Sequence, residues 1–339
     1  MSNLAGYNPA PEVMHATQPS SRHQFAEMLQ QPEPAMDLGR ASLLIACEEY
    51  PQLDVPRYLD RLDALAAALR VRLEDLRPRA VIAALNRLLF EEEGFQGNTE
   101  DYYDPRNSFL NDVLDRRTGI PITLSTLYIE VGRRAGLSVD GIGLPGHFVV
   151  RVGGTLIDPF HGGAVLSEED CQKRLDRIYG GRLRLDDSML AACERKTILA
   201  RTLRNLKAIY TKAGDFIRAL NVVELLLRVD PGALEEMRDR GMLHAALDCY
   251  ALAAGELEEY LEKTGNAPGS PRQTGQVLAL GAASAPSLAQ PQNIFEAVPS
   301  STWVSRPMTG SKRVRTSSKA TSLSVLTGWG LPWVRCDRS

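Results

Sequence analysis

Two stretches of the sequence flank a pair of glycines, Gly146-His-Phe-Val-Val-Arg151 before them and Ile157-Asp-Pro-Phe160 after them. The dipeptide Gly153-Gly154 favours a two-residue hairpin loop between two antiparallel strands. Side chains alternate between the faces of a strand, and diagonal cross-strand neighbours lie within side-chain reach. The hairpin therefore predicts that the imidazole of His147 and the carboxylate of Asp158 lie side by side on one face.

The loop also predicts the register of the hairpin, with Val150 opposite Ile157 and Val152 opposite Thr155. An imidazole beside a carboxylate supplies two of the three parts of a nucleophilic triad, the base and the group that orients it. The function then depends on whether a nucleophile lies on the other side of the imidazole.

Composition and length indicate a water-soluble globular protein. The chain has 339 residues, 44% of them hydrophobic and 24% charged, which suits at least one substantial core. The sequence has no apolar run long enough to predict a spanning helix and no secretory signal pattern near its start. Five scattered cysteines without a close pair favour a reduced, cytoplasmic protein. They are Cys47, Cys171, Cys193, Cys249 and Cys336.

Charge is distributed unevenly along the chain. The residues from Pro271 onward carry eight Lys or Arg against two acidic residues, so that part has a charge of +6, and the net charge of -3 leaves -9 for residues 1–270. Because phosphate contacts need a basic surface, we expect no nucleic-acid binding by the folded body.

The periodicity predicts several regions of different character. Residues 1–22 lack a period and are predicted to be a disordered leader, with folding beginning near His23. Amphipathic helices are predicted over 36–50, 55–73 and 79–92, followed by an ordered polar and aromatic loop over 95–108. Residues 268–339 are predicted to be a disordered or atypical tail.

An apolar helix is predicted to begin at Pro121 and to end at Gly136, and its lack of a polar face predicts burial. Strands are predicted over 139–142, 147–152 and 155–158, and Ser167 is predicted to cap the helix that follows.

From about Cys193 the sequence becomes a helical repeat. A shift of 34 residues aligns Phe216 with Tyr250 and Ala219 with Ala253, which is the tetratricopeptide period. Two such units have too few neighbours to bury their apolar faces, so we expect the repeats over 193–265 to dock on the preceding domain over 23–190.

Several blocks of residues, in this order, resemble a known family. They are Leu85-Asn-Arg-Leu-Leu-Phe-Glu-Glu-Glu-Gly-Phe-Gln-Gly-Asn98, Tyr103-Asp-Pro-Arg-Asn-Ser108, Arg117-Thr-Gly-Ile-Pro-Ile-Thr-Leu-Ser125, Pro145-Gly-His-Phe148 and Ile157-Asp-Pro-Phe160. Over residues 30–265 the chain resembles the bacterial SirB-type proteins, which join a helical N-terminal region and a transglutaminase-like core to tetratricopeptide repeats. The resemblance implies an α+β fold with a papain/transglutaminase-like core, a small antiparallel sheet and an all-α repeat region.

In catalytic transglutaminase-like proteins a cysteine opens the buried helix, where the helix N-terminus and the imidazole favour the thiolate. Fifteen residues before Gly136 the chain has Pro121, and its neighbours Ile120 and Ile122 are not nucleophiles either. Cys171 lies at the start of a different helix. The resemblance therefore implies a core without its thiol.

A hydroxyl could replace the thiol, and Thr123 and Ser125 are the candidates, with His147 as base, Asp158 as orienting group and donors from Asn107 and Ser108. Thr118 is better explained as a cap before Pro121. In the alternative interpretations, the imidazole and carboxylate either lock the hairpin to the helix or form a recognition pocket.

His147, Asp158 and His161 could also supply the N, O and N ligands of a metal site. No short-spaced histidine or cysteine pair supports it, and His161 is predicted to be exposed in a turn. We therefore predict no metal and no cofactor.

These observations predict a cytoplasmic, bacterial, non-catalytic protein that regulates or scaffolds by binding a protein or peptide through its repeats. Tyr103, Asn107, Ser108 and Pro121 are the predicted binding residues near the His147 and Asp158 pair. The competing hypothesis is an acyl-transfer hydrolase that uses a hydroxyl nucleophile. Neither hypothesis specifies an oligomeric state.

Overall fold

The computed structural model describes residues 20–73 and 77–264. The predicted tail over 268–339 and all but the last three residues of the predicted leader lie outside these residues. The described chain forms an α+β core followed by helical repeats, which confirms the predicted fold class.

Three helices form the N-terminal region, and polar side chains begin each of them. They are α1 (Ser21–Leu29), α2 (Leu38–Ala46) and α3 (Val55–Arg70). Ser20, Asp37 and Asp54 each accept a hydrogen bond from a backbone N–H of the first turn, which satisfies a donor that the helix itself leaves unpaired. Helix α1 begins slightly before His23, where folding was predicted to start.

The next segment contains α4 (Pro78–Asn86), which continues into a π-helical turn over Arg87–Glu92. Two short strands, β1 (Gln96–Gly97) and β2 (Thr118–Gly119), then pair in parallel on either side of the aromatic loop and α5 (Leu110–Arg116). This parallel pair has no signal in the sequence, because each strand contains only two residues.

Helix α6 (Pro121–Arg134) runs through the centre of the domain. It is buried from Pro121 to Gly132, as its apolar sequence predicts. Pro121 occupies its first turn, where the missing N–H has no helical partner to lose. Helix α6 contacts α3 and the second strand of the sheet, and Ser125 in its second turn donates to the carbonyl of Phe148, just before that strand.

A four-stranded antiparallel sheet lies beside α6 in the order of the sequence. Its strands are β3 (Asp140–Ile142), β4 (Val149–Val152), β5 (Thr155–Asp158) and β6 (Ala164–Leu166). Val150 pairs with Ile157 and Val152 with Thr155, as the two-residue loop predicts. Both loop glycines have positive φ, 53° and 85°, which the type I′ turn requires.

Five α-helices complete the described chain. They are α7 (Glu168–Tyr179), α8 (Arg195–Ala213), α9 (Phe216–Val229), α10 (Leu234–Ala246) and α11 (Tyr250–Lys263). Ser167 caps α7 as predicted. Helices α9 and α11 begin at Phe216 and Tyr250, which are 34 residues apart, and the aligned residues Ala219 and Ala253 are both fully buried.

The repeats dock on the preceding domain. Residues of α8 and α9 belong to the same hydrophobic core as residues of α2, α3 and α6. Arg22 of α1 bridges Glu48 and Asn221, and Arg218 of α9 pairs with Glu49. In the described part of the chain, no helix is long and apolar enough to span a bilayer.

Candidate functional site

A tight turn presents His147 two residues before β4, which begins at Val149 and not at the predicted residue 147. The backbone N–H of His147 donates to the carbonyl of Leu144 over 3.1 Å, and Gly146 has a φ of 74°. Pro145 followed by a glycine with positive φ is the sequence of a type II turn. The turn and the hairpin together place the imidazole of His147 inside the protein, with 4% of the residue exposed.

Asp158 is fully buried at the end of β5 and accepts hydrogen bonds from three side chains on one oxygen. Its Oδ2 lies 2.9 Å from Nε2 of His147, 2.7 Å from Nδ1 of His161 and 3.0 Å from the guanidinium of Arg174. Its other oxygen accepts the backbone N–H of Phe160 at 3.1 Å. The structure therefore brings His147 and Asp158 together.

Two opposing effects act on the carboxyl of Asp158. Burial raises its pKa, but hydrogen bonds from His147 and His161 outweigh the burial and hold the pKa well below its usual range. Burial lowers the pKa of His147, and the nearby charges of Arg174 and His161 lower it further, against the attraction of Asp158. The site therefore holds an ionised carboxylate beside a neutral imidazole.

The hydrogen bonds also determine the tautomer of His147. A carboxylate only accepts hydrogen bonds, so Nε2 of His147 must carry the proton that is donated to Asp158. In the neutral ring Nδ1 is then the basic nitrogen. The pair is chemically complete as a base and its orienting group, and Nδ1 is the atom that could take a proton.

The two candidate hydroxyls at the start of α6 are bonded to backbone carbonyls. Thr123 Oγ1 donates to the carbonyl of Asn107 over 2.6 Å and accepts the N–H of Ile120, while Ser125 Oγ donates to the carbonyl of Phe148 over 3.4 Å. Among the described residues, no hydrogen bond joins either hydroxyl to the His147 ring. Both groups serve the packing of α6.

The predicted helix cap at Thr118 is wrong. Helix α6 is preceded by Ile120, and Thr123 from inside the helix accepts the Ile120 N–H. Thr118 lies in β2 and donates to the carbonyl of Arg116. The short strand pairing moves Thr118 out of reach of the helix, because β2 ends before the helix begins.

Asn107 organises the aromatic loop beside the site. Its amide donates to the carbonyls of Asp101 and Tyr102, and its side-chain oxygen accepts from Asn98 and Arg116. Each polar atom of this fully buried side chain thus has a partner in the loop. Asn107 therefore keeps the loop ordered and leaves no free donor for a ligand.

The other predicted binding residues differ in their accessibility. Ser108 is 3% exposed and Pro121 is also buried, whereas Tyr103 is 40% exposed. The ammonium of Lys212, from α8, lies 4.6 Å from the centre of the Tyr103 ring. Of these predicted residues, Tyr103 has the side chain that a partner can reach.

His147, Asp158 and His161 are the described residues that could hold a metal ion, with ligand atoms all within 4.8 Å of one another. The imidazole of His161 is 42% exposed, as the sequence predicts. The guanidinium of Arg174 already donates to Oδ2 of Asp158, an oxygen that a bound cation would also use. A metal ion would have to displace this guanidinium, so the donor set fits a hydrogen-bond network better than a metal site.

Sequence reasoning missed the part that Arg174 plays, and it grouped His161 with Asp158 as possible metal ligands and not as a hydrogen-bonded pair. A signal for His161 existed, since Asp158-Pro-Phe-His161 forms a single 3-10 turn that places the two side chains three residues apart. Arg174 belongs to α7, and only the docking of that helix beside β5 brings it to the carboxylate.

Comparisons with known proteins agree with this architecture. A model of the transglutaminase-like superfamily matches residues 56–204, and one of the tetratricopeptide repeat matches 206–277. A UPF0162 protein of Xylella fastidiosa is 39% identical over 236 residues, which cover 67% of this chain and 84% of that protein. The chain belongs to the UPF0162 family.

Other relatives match shorter parts of this chain. A UPF0162 protein of Vibrio cholerae is 31% identical over 207 residues, covering 60% of this chain and 76% of that protein. Human F-box only protein 21 is 30% identical over 146 residues, which cover 40% of this chain and 22% of that protein. No solved structure matches the chain. The SirB-type resemblance is thereby confirmed as a transglutaminase-like domain followed by tetratricopeptide repeats.

Proposed function

We propose that this UPF0162 chain is a non-catalytic transglutaminase-like protein that regulates or scaffolds by binding a protein partner through its helical repeats. The observation that carries the proposal is the start of α6. The helix that would open with a nucleophile opens with Ile120, Pro121 and Ile122, and the nearby hydroxyls of Thr123 and Ser125 are engaged with backbone carbonyls.

The repeats support the binding part of the proposal. Stacked helix pairs form extended surfaces that other proteins use for recognition. Helices α9 and α11 carry exposed apolar side chains near their first turns, with Ile217 63% exposed and Leu252 55% exposed. Such side chains add apolar area to a contact when a partner covers them.

A binding experiment should use substitutions and not a deletion. Residues of α8 and α9 form part of the domain core, so removing the repeats would expose that core. The tagged full-length chain is purified with its bound proteins, alongside Ile217→Asp, Leu252→Asp and His147→Ala. Val165→Asp is the matched control, because Val165 is 63% exposed on β6 of the other domain.

We expect a specific partner to be lost from Ile217→Asp or Leu252→Asp and retained by Val165→Asp and His147→Ala. Retention of every partner by both repeat variants, or equal loss from the Val165 control, would contradict binding through the repeats.

A separate experiment addresses catalysis. Hydrolysis of an activated acetate ester is measured for the wild type, Thr123→Val, Ser125→Ala and His147→Gln. The non-catalytic proposal expects equal, background rates in all four. A wild-type rate that falls at least tenfold in His147→Gln and in one hydroxyl variant would support the hydrolase hypothesis instead.

The proposed compartment is the cytoplasm. In the described residues the cysteines at 47, 171, 193 and 249 are free thiols, which suits a reducing environment. Fractionation of bacterial cells that produce the native protein checks this proposal, and its recovery in a periplasmic fraction would contradict it.

A further inference from the structure

The segment before α8 is joined to the sheet beside the His147 turn. The N–H of Cys193 donates to the carbonyl of Gly141 over 2.8 Å, and Ala192 forms an isolated antiparallel bridge with Ile142. Helix α8 thus leaves directly from the edge of the sheet that carries the candidate site. It spans the boundary between the transglutaminase-like match, which ends at residue 204, and the repeat match, which begins at 206.

Arg201, two turns into α8, holds both ends of the turn that presents His147. One nitrogen of its guanidinium donates to the carbonyl of Leu144 over 2.8 Å and to the carbonyl of His147 over 2.7 Å. The guanidinium also lies 5.4 Å from the centre of the Phe148 ring. Backbone carbonyls that accept from a charged donor form stronger hydrogen bonds than neutral pairs do.

The packing between α8 and the turn is too tight for side chains. A Cβ on Gly143 would lie 2.9 Å from the sulfur of Cys193 and 3.2 Å from the guanidinium of Arg201. A Cβ on Gly141 would lie 2.9 Å from the Phe148 ring. Glycine at both positions allows the helix to approach the turn closely, so a small shift of α8 must move the turn or break these contacts.

Residues of α8 beyond Arg201 form ion pairs with α10. Arg204 pairs with Glu236 of α10, and Lys207 pairs with Glu236 and Asp239 of the same helix. Helix α8 therefore contacts the His147 turn through Arg201, and it contacts α10 through Arg204 and Lys207, one to two turns further along. Arg201 makes no ion pair with a carboxylate in the described residues, so its charge acts on the turn.

We propose that Arg201 is a positioning residue that sets the backbone of His147 from helix α8, so that the ring environment and the amide protection of His147 depend on this guanidinium. The role does not require catalysis, and it does not depend on the identity of a partner. It ties the base of the candidate site to helix α8 through one guanidinium.

The experiment follows His147 in the full-length chain by NMR. The five histidines are labelled with ¹⁵N, and His147 is identified by its loss in His147→Gln. Arg201→Met should change the ring ¹⁵N shifts of His147 and accelerate exchange of its backbone amide roughly tenfold, the effect of losing about one charge-assisted hydrogen bond. Arg201→Lys should restore most of the wild-type behaviour, since an ammonium can also donate to both carbonyls.

Arg204→Met is the matched control, because it removes an arginine three residues further along the same helix that pairs with α10 and not with the turn. It should leave the His147 signals unchanged even where it lowers stability. Unchanged His147 signals in Arg201→Met, or equal changes in both variants, would overturn the proposal. If Arg201→Met fails to fold, Gly143→Ala is compared with Arg201→Lys. Unchanged His147 signals in Gly143→Ala would then overturn the proposal.

Discussion

At the scale of single residues, the candidate site is a charge arrangement centred on Asp158. One buried carboxylate oxygen accepts from His147, His161 and Arg174, and the other accepts a backbone N–H. Leaving a buried carboxylate without donors would be costly, so these three side chains act together as its solvation. The base is held neutral and the carboxylate ionised, whether or not a reaction uses them.

The protonation of His147 predicts how stability depends on pH. Its pKa is lowered in the folded protein, so below the ordinary histidine pKa of about 6.5 the unfolded chain binds a proton that folded His147 resists. The contribution of His147 is present above that pH and is lost as the pH falls below it. We expect urea unfolding to show a smaller free energy at about pH 5.5 than at about pH 7.5.

The variant His147→Gln is the comparison for this titration, because its amide can still donate to Asp158 but does not titrate. Its stability should fall less over the same pH range. An equal fall in the wild type and in His147→Gln would show that other groups cause the dependence.

Arg174 provides a second prediction at this scale. Its positive charge lowers the pKa of His147, so Arg174→Met should raise that pKa. An NMR titration of the His147 ring measures the shift. Lys173→Met is the control, since Lys173 is exposed and pairs with Glu169 on the outer face of α7. A His147 pKa that is unchanged or lowered in Arg174→Met would contradict the assigned role.

At the scale of elements, helices α2 and α6 approach closely through a glycine. Gly39 of α2 lies against the buried carboxylate of Glu130, which Arg134 neutralises in part from the next turn of α6. Burial raises the pKa of Glu130, and the charge of Asp37 raises it further. A side chain at position 39 would displace this carboxylate.

Gly39→Ala tests the contact. The added Cβ would lie 2.8 Å from the Glu130 carboxylate and 3.0 Å from Leu62, so we expect a loss of roughly 2 kcal/mol despite the better helix propensity of alanine. Gly255→Ala is the matched control in α11, where nothing lies within 4 Å of the new Cβ. It should stabilise by about 0.5 to 1 kcal/mol. Urea unfolding measures both, and equal effects would refute steric exclusion at Gly39.

At the scale of the whole molecule, the repeats and the transglutaminase-like domain share one hydrophobic core. Within the repeats, Glu236 and Asp239 of α10 are buried with 1% and 5% of their surface exposed, and Lys207 of α8 pairs with both. Two repeats are few for a free-standing array, and the shared core replaces the missing neighbours.

Lys207→Met should therefore destabilise the folded chain. It would leave the carboxylates of Glu236 and Asp239 buried with one positive charge fewer beside them. We expect the free energy of unfolding to fall by about 3 kcal/mol, the lower end for breaking a buried ion pair. Lys263→Met is the control, because its pair with Glu259 is exposed and should contribute less than about 1 kcal/mol. Chemical unfolding monitors both variants. Equal stability of Lys207→Met and the wild type would show that Arg204, which pairs with Glu236, and Arg238, which pairs with Asp239, suffice for the buried acids.

Local sequence patterns predicted much of the fold, and within the site they predicted the pair of His147 and Asp158. The glycine pair predicted the hairpin register, and the register brought His147 beside Asp158. The apolar run after Pro121 predicted the buried helix, and the period of 34 residues predicted the repeats. Each of these depends on residues close in the chain, where turn geometry and periodicity decide the structure.

The tertiary structure alone decided the contacts between distant elements. Arg174 reaches Asp158 because α7 packs beside the hairpin, and Arg201 reaches the His147 turn because α8 starts at the edge of the sheet. These side chains are 16 and 54 residues from their partners, and no periodicity relates them. The sequence by itself determined which base and carboxylate meet. The packing of two later helices brought a guanidinium to the carboxylate and another to the backbone of the base, because long-range contacts depend on how whole helices fill the core and not on local turns.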